Sequence, residues 1–315
     1  MTESMSRRAS SDLTYLAARM YYVDELTQAD IAERLHVSRP TVSRLVADAR
    51  GRGIVEIIVH DPVEAAEPTD EALAQALSVD HVWLTPASSG RDSLAALAAT
   101  VNRALGAVRL GAGDTLLVSS GRTMYDLSRS SLTPRPGIDI VPTVGGVAEP
   151  AAWHQTNEIT RAMAERLRGR PHFLFAPALP SARMRATLDE DPEFRQVTGR
   201  WDAAKAALVG VGAAPAGRDS ISTFVPLTSR AIRTAAGDIS LNFFTADGAE
   251  VRFPGHERMV RLSRDQLQAV PTTIAVATGA VKVLSILAGA RAGLFNQLVT
   301  DPATARAVLK AAKAT

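Results

Sequence analysis

Between residues 27 and 46 the chain reads TQADIAERLHVSRPTVSRLV, and the spacing of its polar and apolar residues leaves few folds open to it. Thr27 can cap a first helix, with Asp30 three residues on, and Ile31, Ala32 and Leu35 fall on that helix's inward face. His36 and Val37 make a turn, Ser38 caps a second helix, and Pro40 falls in its first turn, where a missing N–H costs little. Val42 and Leu45 then face back onto Ile31 and Leu35, and Ala32 is small where the two helices must cross. The pattern predicts a helix-turn-helix. Its second helix presents Arg39, Thr41, Ser43 and Arg44 outward, on the side that meets base edges and phosphates when such a helix enters the major groove of DNA. Thr27 and Gln28 at the start of the first helix, and Ser38 and Pro40 at the start of the second, complete the set expected at DNA. His36 stands where glycine is common, because the turn often needs a left-handed backbone; a histidine there costs about 1 kcal/mol.

Flanking segments complete a small winged-type domain. Asp12 to Val23 reads as a helix capped by Ser10 or Ser11, with Leu13, Leu16, Met20 and Val23 at helical spacing to bury the hairpin's back. Gly51 and Gly53 stop the second helix, and the β-rich run Ile54 to Val59 reads as a closing strand. The chain's formal net charge is only +2, so any attraction for nucleic acid must be local. Around the second helix Arg39, Arg44, Arg50 and Arg52 face only Asp48, whereas the first two helices carry Asp24, Glu25, Asp30 and Glu33. The stretch DPVEAAEPT, with two prolines among acidic residues, marks a boundary. The expected division is a DNA-binding domain over 1–61, a linker over 62–69 and a larger domain over 70–315.

In the larger part, β-rich runs alternate with Ala- and Leu-rich helical segments. Strands are expected at Val82 to Leu84, Thr115 to Val118, Ile138 to Thr143, His172 to Phe175, Ala207 to Val211, Ile239 to Phe244 and Thr273 to Val276. Helices are expected at Leu94 to Leu105, Thr123 to Leu132, Thr156 to Arg168, Pro192 to Ala203 and Val281 to Arg291. Strands separated by helices argue for an α/β fold: a doubly wound, largely parallel sheet covered on both faces. The chain has no cysteine, which excludes disulfides, thiolate metal sites and cysteine nucleophiles and is compatible with a reducing cytoplasm. Residues 1–11 are polar and do not read as a signal peptide. The most apolar stretch, Ile274 to Leu294, is broken by Lys282, Arg291 and several glycines, so it reads as buried strand plus helix rather than a membrane span.

Ligands of such sheets bind at the carboxyl ends of strands, which directs attention to the strand-to-helix turns. Ser119-Ser120-Gly121-Arg122-Thr123 follows the run TLLV and precedes a helix, and its glycine, hydroxyls and guanidinium suit a phosphate. Further turns at Gly145-Gly146, Gly210-Val211-Gly212, Gly237-Asp238 and Gly279 to Lys282 could converge on the same crevice. No GxGxxG or Walker spacing occurs, so no nucleotide cofactor is expected. The six histidines lack HxxxH spacing and no GxSxG occurs, so neither a catalytic metal nor a serine triad is expected. His154, beside Trp153 and Asn157, reads first as a surface or packing residue, and Asp189-Glu190-Asp191 as a loop and helix start.

The segment YYVDELTQADIAERLHVSRPTVSRLVADARGRGIVEIIVHDP resembles the N-terminal domain of the SorC family of bacterial transcriptional regulators. SSGRTMYDL, VPTVGG, FAPALP, ALVGVG, AAGDI, VATGAVK and LVTDPATA follow in family order, so the resemblance covers nearly the whole chain. It implies an effector domain similar to ribose-5-phosphate isomerase and glucosamine-6-phosphate deaminase folds, sensing a phosphorylated sugar, and a homo-oligomer, commonly a tetramer, on operator DNA. Position by position, Gly121, Arg122 and Thr123 match the family's phosphate loop, and Asp238 and Lys282 match polar residues of its pocket. Ser120 stands where the family often has Trp and Thr278 where it often has a second Gly, which leaves the effector's identity open. The competing reading is an active sugar-phosphate isomerase or deaminase with a DNA-binding appendage, for which Asp238 would be the candidate general base.

Overall fold

The computed structural model describes residues 13–51, 53–55, 69–87, 92–218, 225–226 and 229–314. They fall into two compact units, residues 1–65 and 66–315.

The first unit is helical where described: α1 over 13–22, α2 Gln28–Leu35 and α3 Arg39–Gly51. Its core is Ala17, Ile31, Val42 and Val46, with Met20, Leu26, Leu35 and Leu45 packed against it. The inward face of α1 differs from the expected stripe. Thr14, Ala17 and Ala18 are buried, whereas Leu13, Leu16 and above all Val23, 72% exposed, are not. Two causes are visible: alanines let α1 approach the hairpin more closely than leucines would, and the Thr14 hydroxyl donates to the Asp48 carboxylate of α3 at 3.3 Å, which fixes the helix's rotation. Ile54 and Val55 lie in a bend rather than a strand; residues 56–59 of the expected closing strand lie outside the described residues.

The second unit is built on a parallel sheet ordered β1-β9-β8-β5-β2-β3-β4. In chain order its elements are α4 Asp70–Leu77, β1 His81–Leu84, α5 Asp92–Val108, β2 Thr115–Val118, α6 Arg122–Ser128, β3 Asp139–Pro142, α7 Thr156–Leu167 and β4 Arg170–Pro171. There follow α8 Ala182–Glu190, α9 Pro192–Thr198, β5 Ala206–Gly210, α10 Arg230–Arg233, a hairpin of β6 Gly237–Ile239 and β7 Asn242–Phe244, and α11 Arg264–Ala269. β8 Thr272–Val276, α12 Val283–Arg291, β9 Gln297–Thr300 and α13 Pro302–Lys313 complete it. Side chains of a strand alternate between faces, and the two cores follow that period. Leu116, Val118, Ile140, Leu208 and Ile274 point to α5, α6 and α7, while Leu117, Val141, Ala207, Val209 and Ala275 point to α4, α12 and α13.

Three expectations fail for identifiable reasons. His172 to Phe175 is not a strand: β4 ends at Pro171, and the Asn157 side chain takes both the N–H and the C=O of Leu174, replacing the ladder with side-chain bonds. Ile239 to Phe244 is not one strand but the turn of an antiparallel hairpin, with Ser240 at φ 50° and Leu241 at φ 60° in the left-handed region that two-residue hairpin turns require. Asp189 and Glu190 belong to the helix α8, and only Asp191 begins the next, its carboxylate accepting from Phe194 N–H at 2.8 Å.

Candidate functional site

The helix-turn-helix is held by its own polar residues. The Thr27 hydroxyl accepts from Asp30 N–H and the Asp30 carboxylate accepts from Thr27 N–H at 3.1 Å, a reciprocal capping box; the Thr27 hydroxyl also bonds the Asp30 carboxylate, and this contact first, then the Thr27 N–H, keeps the Asp30 carboxyl below its usual range. His36 adopts φ 52°, ψ 42°, the left-handed conformation read from the sequence. The Ser38 hydroxyl accepts from Thr41 N–H at 3.3 Å and shares a hydrogen bond with the Thr41 hydroxyl. Thr27, Ser38 and Thr41 therefore build the helix starts. Arg39, Pro40, Ser43 and Arg44 are exposed on α3, while Val42, Val46 and Ala49 are buried beneath them; Gln28 is half-buried.

In the second unit β2 and β5 are neighbours from which the chain departs in opposite directions, to β3 on one side and to β8 on the other. A crevice opens at the carboxyl end of the sheet at such a reversal. Ser119 N–H still donates to Leu208 C=O, and one step on, where the backbones part, the buried Ser119 hydroxyl accepts from Gly210 N–H at 2.9 Å. Ser119 thus stitches the two strand ends together and is spent on the fold. Gly121, at φ 111° and ψ 163°, takes a conformation open only to glycine, and α6 starts at Arg122.

Across the crevice, Lys282 and Asp238 are brought together by the end of β5. Lys282 donates from Nζ to Val211 C=O at 2.7 Å, and Arg218 donates to Ala213 C=O and pairs with the Asp238 carboxylate. Gly212 lies beneath that ion pair, where a Cβ would collide with both partners. The second Asp238 oxygen accepts from Leu241 N–H at 3.0 Å and pins the strained hairpin turn. Both carboxylate oxygens are therefore engaged, which suits an anchoring acceptor better than a general base. Burial lowers the Lys282 pKa, the Arg218 charge adds to this, and Asp238 opposes it.

Gly145 and Gly146 are placed differently. Their N–H groups donate to Val260 C=O at 2.9 Å and Ala176 C=O at 2.8 Å, and a Cβ on Gly145 would meet the backbone of residues 176–178. These glycines admit a crossing segment rather than offer donors to a ligand. A separate hollow of about 630 Å³, lined among others by Arg185, Arg195, Trp201, His256 and Arg261, includes none of the residues expected to hold the effector.

Sequence reasoning missed Arg218, which carries no motif signal, and gave Trp153 no role of its own. Trp153 sits on a short 3-10 turn, Ala152–His154, with its C=O accepting from Gly121 N–H at 2.9 Å and its ring 4.2 Å from the Arg122 guanidinium carbon. Burial lowers the His154 pKa, with Glu149 opposing and Arg218 adding to the shift, which puts this turn within electrostatic reach of the Arg218–Asp238 pair.

A helix-turn-helix with exposed arginines on its second helix, followed by a doubly wound unit that gathers Arg218, Asp238 and Lys282 at the end of β5, has the make-up of a DNA-binding regulator with a second, ligand-type domain. Residues 61–310 match the family model described as "Putative sugar-binding domain", and residues 11–63 match the MarR family model. The chain is 29% identical to the deoxyribonucleoside regulator of Bacillus subtilis (strain 168), over 96% of this chain and 98% of that protein. It is 28% identical to the sorbitol operon regulator of Klebsiella pneumoniae, over 93% and 96%. The crystal structure of full-length SorC, the sorbitol operon regulator from Klebsiella pneumoniae, matches with a TM-score of 0.68 at 28% identity, covering 95% of this chain and 98% of that one. The chain belongs to the SorC family of transcriptional regulators, with a helix-turn-helix and a sugar-binding domain. No helix among the described residues is long and apolar enough to cross a membrane.

Proposed function

We propose that this protein regulates transcription of genes for carbohydrate use, and that a phosphorylated sugar bound in the β2/β5 crevice controls its hold on operator DNA. One observation carries the choice of an anionic ligand: three cations, Arg122, Arg218 and Lys282, belong to elements that meet at the strand reversal. Lys282 and Arg218 already donate to backbone carbonyls, whereas Arg122 makes no hydrogen bond or ion pair among the described residues. A phosphate beside Arg122 would gain charge-assisted bonds from its guanidinium fork and from the Thr123 hydroxyl. The sugar would extend toward Lys282, and Ser119, Gly145, Gly146 and Asp238 would shape the crevice from behind.

On the DNA side, Arg39 and Arg44 on the outward face of α3 would make the base and phosphate contacts. One short recognition helix reads few base pairs, so specific binding calls for repeated half-sites and an oligomer; the family resemblance favours four chains. An effector would act through unequal affinity for two quaternary arrangements. A thermal-shift panel of pentose and hexose phosphates, each beside its parent sugar, tests the effector class. The expected result is a rise in melting temperature with one or a few phosphates and none with the parent sugars, since a ligand of the folded state stabilises by mass action. Equal stabilisation by a phosphate and its parent sugar would refute a phosphate-reading site.

A further inference from the structure

Within the proposed effector site, Arg122 differs from the other two cations in what holds it. Lys282 and Arg218 are tied to the carbonyls of Val211 and Ala213. Arg122 is exposed and held by an aromatic face alone, its guanidinium carbon 4.2 Å from the centre of the Trp153 ring. A cation–π contact of this kind restrains a side chain that would otherwise sample many rotamers, yet it gives the guanidinium no oxygen acceptor. The N–H donors lie in the plane and point outward from its edge. They stay free to grip an anion in a bidentate manner.

Trp153 is itself fixed to the loop it serves. Its C=O accepts the Gly121 N–H at 2.9 Å, and Gly121 C=O in turn accepts from Tyr125 N–H at 2.9 Å, so the tryptophan backbone is bonded to the residue before Arg122. The glycine-only conformation of Gly121 is what allows its N–H to turn toward Trp153 while its C=O enters α6. The adjoining His154 ring lies 6.2 Å from the indole and limits its freedom on that side.

We infer that Trp153 is a positioning residue of the effector site: it holds the Arg122 guanidinium in the orientation that receives the effector's anionic group, and its indole registers occupancy. The inference rests on the reading that Arg122 binds that group. Preorganisation of this kind shows in affinity because the ordering of Arg122 is completed before the ligand arrives.

The test uses the full-length protein and the member of a pentose and hexose phosphate panel that binds it most tightly. Affinity is measured by calorimetry for wild type, Trp153→Leu, Trp153→Phe, Arg122→Ala and the Trp153→Leu/Arg122→Ala double variant. Trp153→Leu should weaken binding about 2- to 5-fold, the range of a cation–π contact at an exposed site, while Trp153→Phe recovers most of the loss. In the Arg122→Ala background Trp153→Leu should cost less than twofold, because the residue it positions is gone. A saturable change in tryptophan emission on ligand addition should be present in wild type and lost in Trp153→Phe. If Trp153→Leu binds like wild type while Arg122→Ala is weakened, the inference fails and the reading of Arg122 stands. The inference fails in the same way if the two substitutions weaken binding additively. If Arg122→Ala itself binds like wild type, or no sugar phosphate binds the wild type, the underlying reading fails.

Discussion

Ser119→Ala separates a residue that shapes the crevice from one that would contact its ligand. Ser119 is buried, and its hydroxyl is the acceptor for Gly210 N–H at 2.9 Å at the point where the β2 and β5 backbones part. Alanine leaves that amide without its partner inside the sheet, and a buried unsatisfied N–H costs about 1–3 kcal/mol. For a unit of this size, 1 kcal/mol shifts the melting temperature by roughly 2–4 °C, so the fall should be about 2–12 °C in the absence of any ligand. Ser120→Ala is the control. Ser120 is half-buried, and its part in the hydrogen bond from Ser119 is played by the backbone carbonyl, which alanine retains. Thermal unfolding of the ligand-free proteins reads both. An unchanged melting temperature for Ser119→Ala, together with a large loss of effector affinity, would refute the structural role and make Ser119 a ligand contact.

Further consequences concern both units. Arg39→Ala and Arg44→Ala should each weaken operator binding by roughly 1–3 kcal/mol where a base contact is lost, and should flatten the salt slope by about one where a phosphate contact is lost; operator affinity unchanged in the double variant would remove α3 from the interface. His36→Gly should stabilise the DNA-binding unit by roughly 0.5–1 kcal/mol, because φ 52° costs a histidine more than a glycine, and a lower denaturation midpoint would contradict this. At the opposite end of the sheet, buried Asp139 accepts from Arg170 and Arg200 at 2.8 Å and 2.9 Å and faces His172. Burial alone would raise its pKa, but the hydrogen bond from Arg170, the adjacent His172 and the Arg200 charge outweigh that and lower it. The sign follows: the stability this carboxylate contributes is complete above the ordinary aspartate value and is lost as pH falls through the lowered one. Asp139→Asn should therefore cost about 1–3 kcal/mol at neutral pH, and its unfolding curve should converge with that of wild type in acid; parallel curves down to low pH would refute the assignment.

The features legible in the sequence are those written in local chemistry. The capping box at Thr27, the left-handed turn at His36, the strand Thr115 to Val118 and the turn that follows it all rest on residues within four or five positions of one another. What could not be read depends on partners far along the chain. The inward face of α1 is set by a hydroxyl reaching Asp48, thirty-four positions away. The early end of β4 is set by Asn157 bonding the backbone of Leu174. β9 and α13 were legible only as a motif, since QLVT is too short to stand out from its apolar surroundings. The site follows the same rule. The turn 119–123 announced itself by composition, but which of its groups are spent on the fold became visible only with Gly210 and Trp153 in place.

The central claim, that an anionic sugar ligand in the β2/β5 crevice governs DNA binding by α3, is tested most directly by titrating the protein's complex with operator DNA, selected from random sequence, against the tightest-binding sugar phosphate. The account predicts that the phosphate changes operator affinity several-fold at a concentration where the parent sugar does nothing. It further predicts that Arg122→Ala binds operator normally without ligand yet needs several-fold more phosphate for the same response, consistent with loss of charge-assisted bonds of about 1.5–3 kcal/mol. Operator affinity unmoved by saturating sugar phosphate, or an Arg122→Ala response at wild-type concentrations, would contradict it.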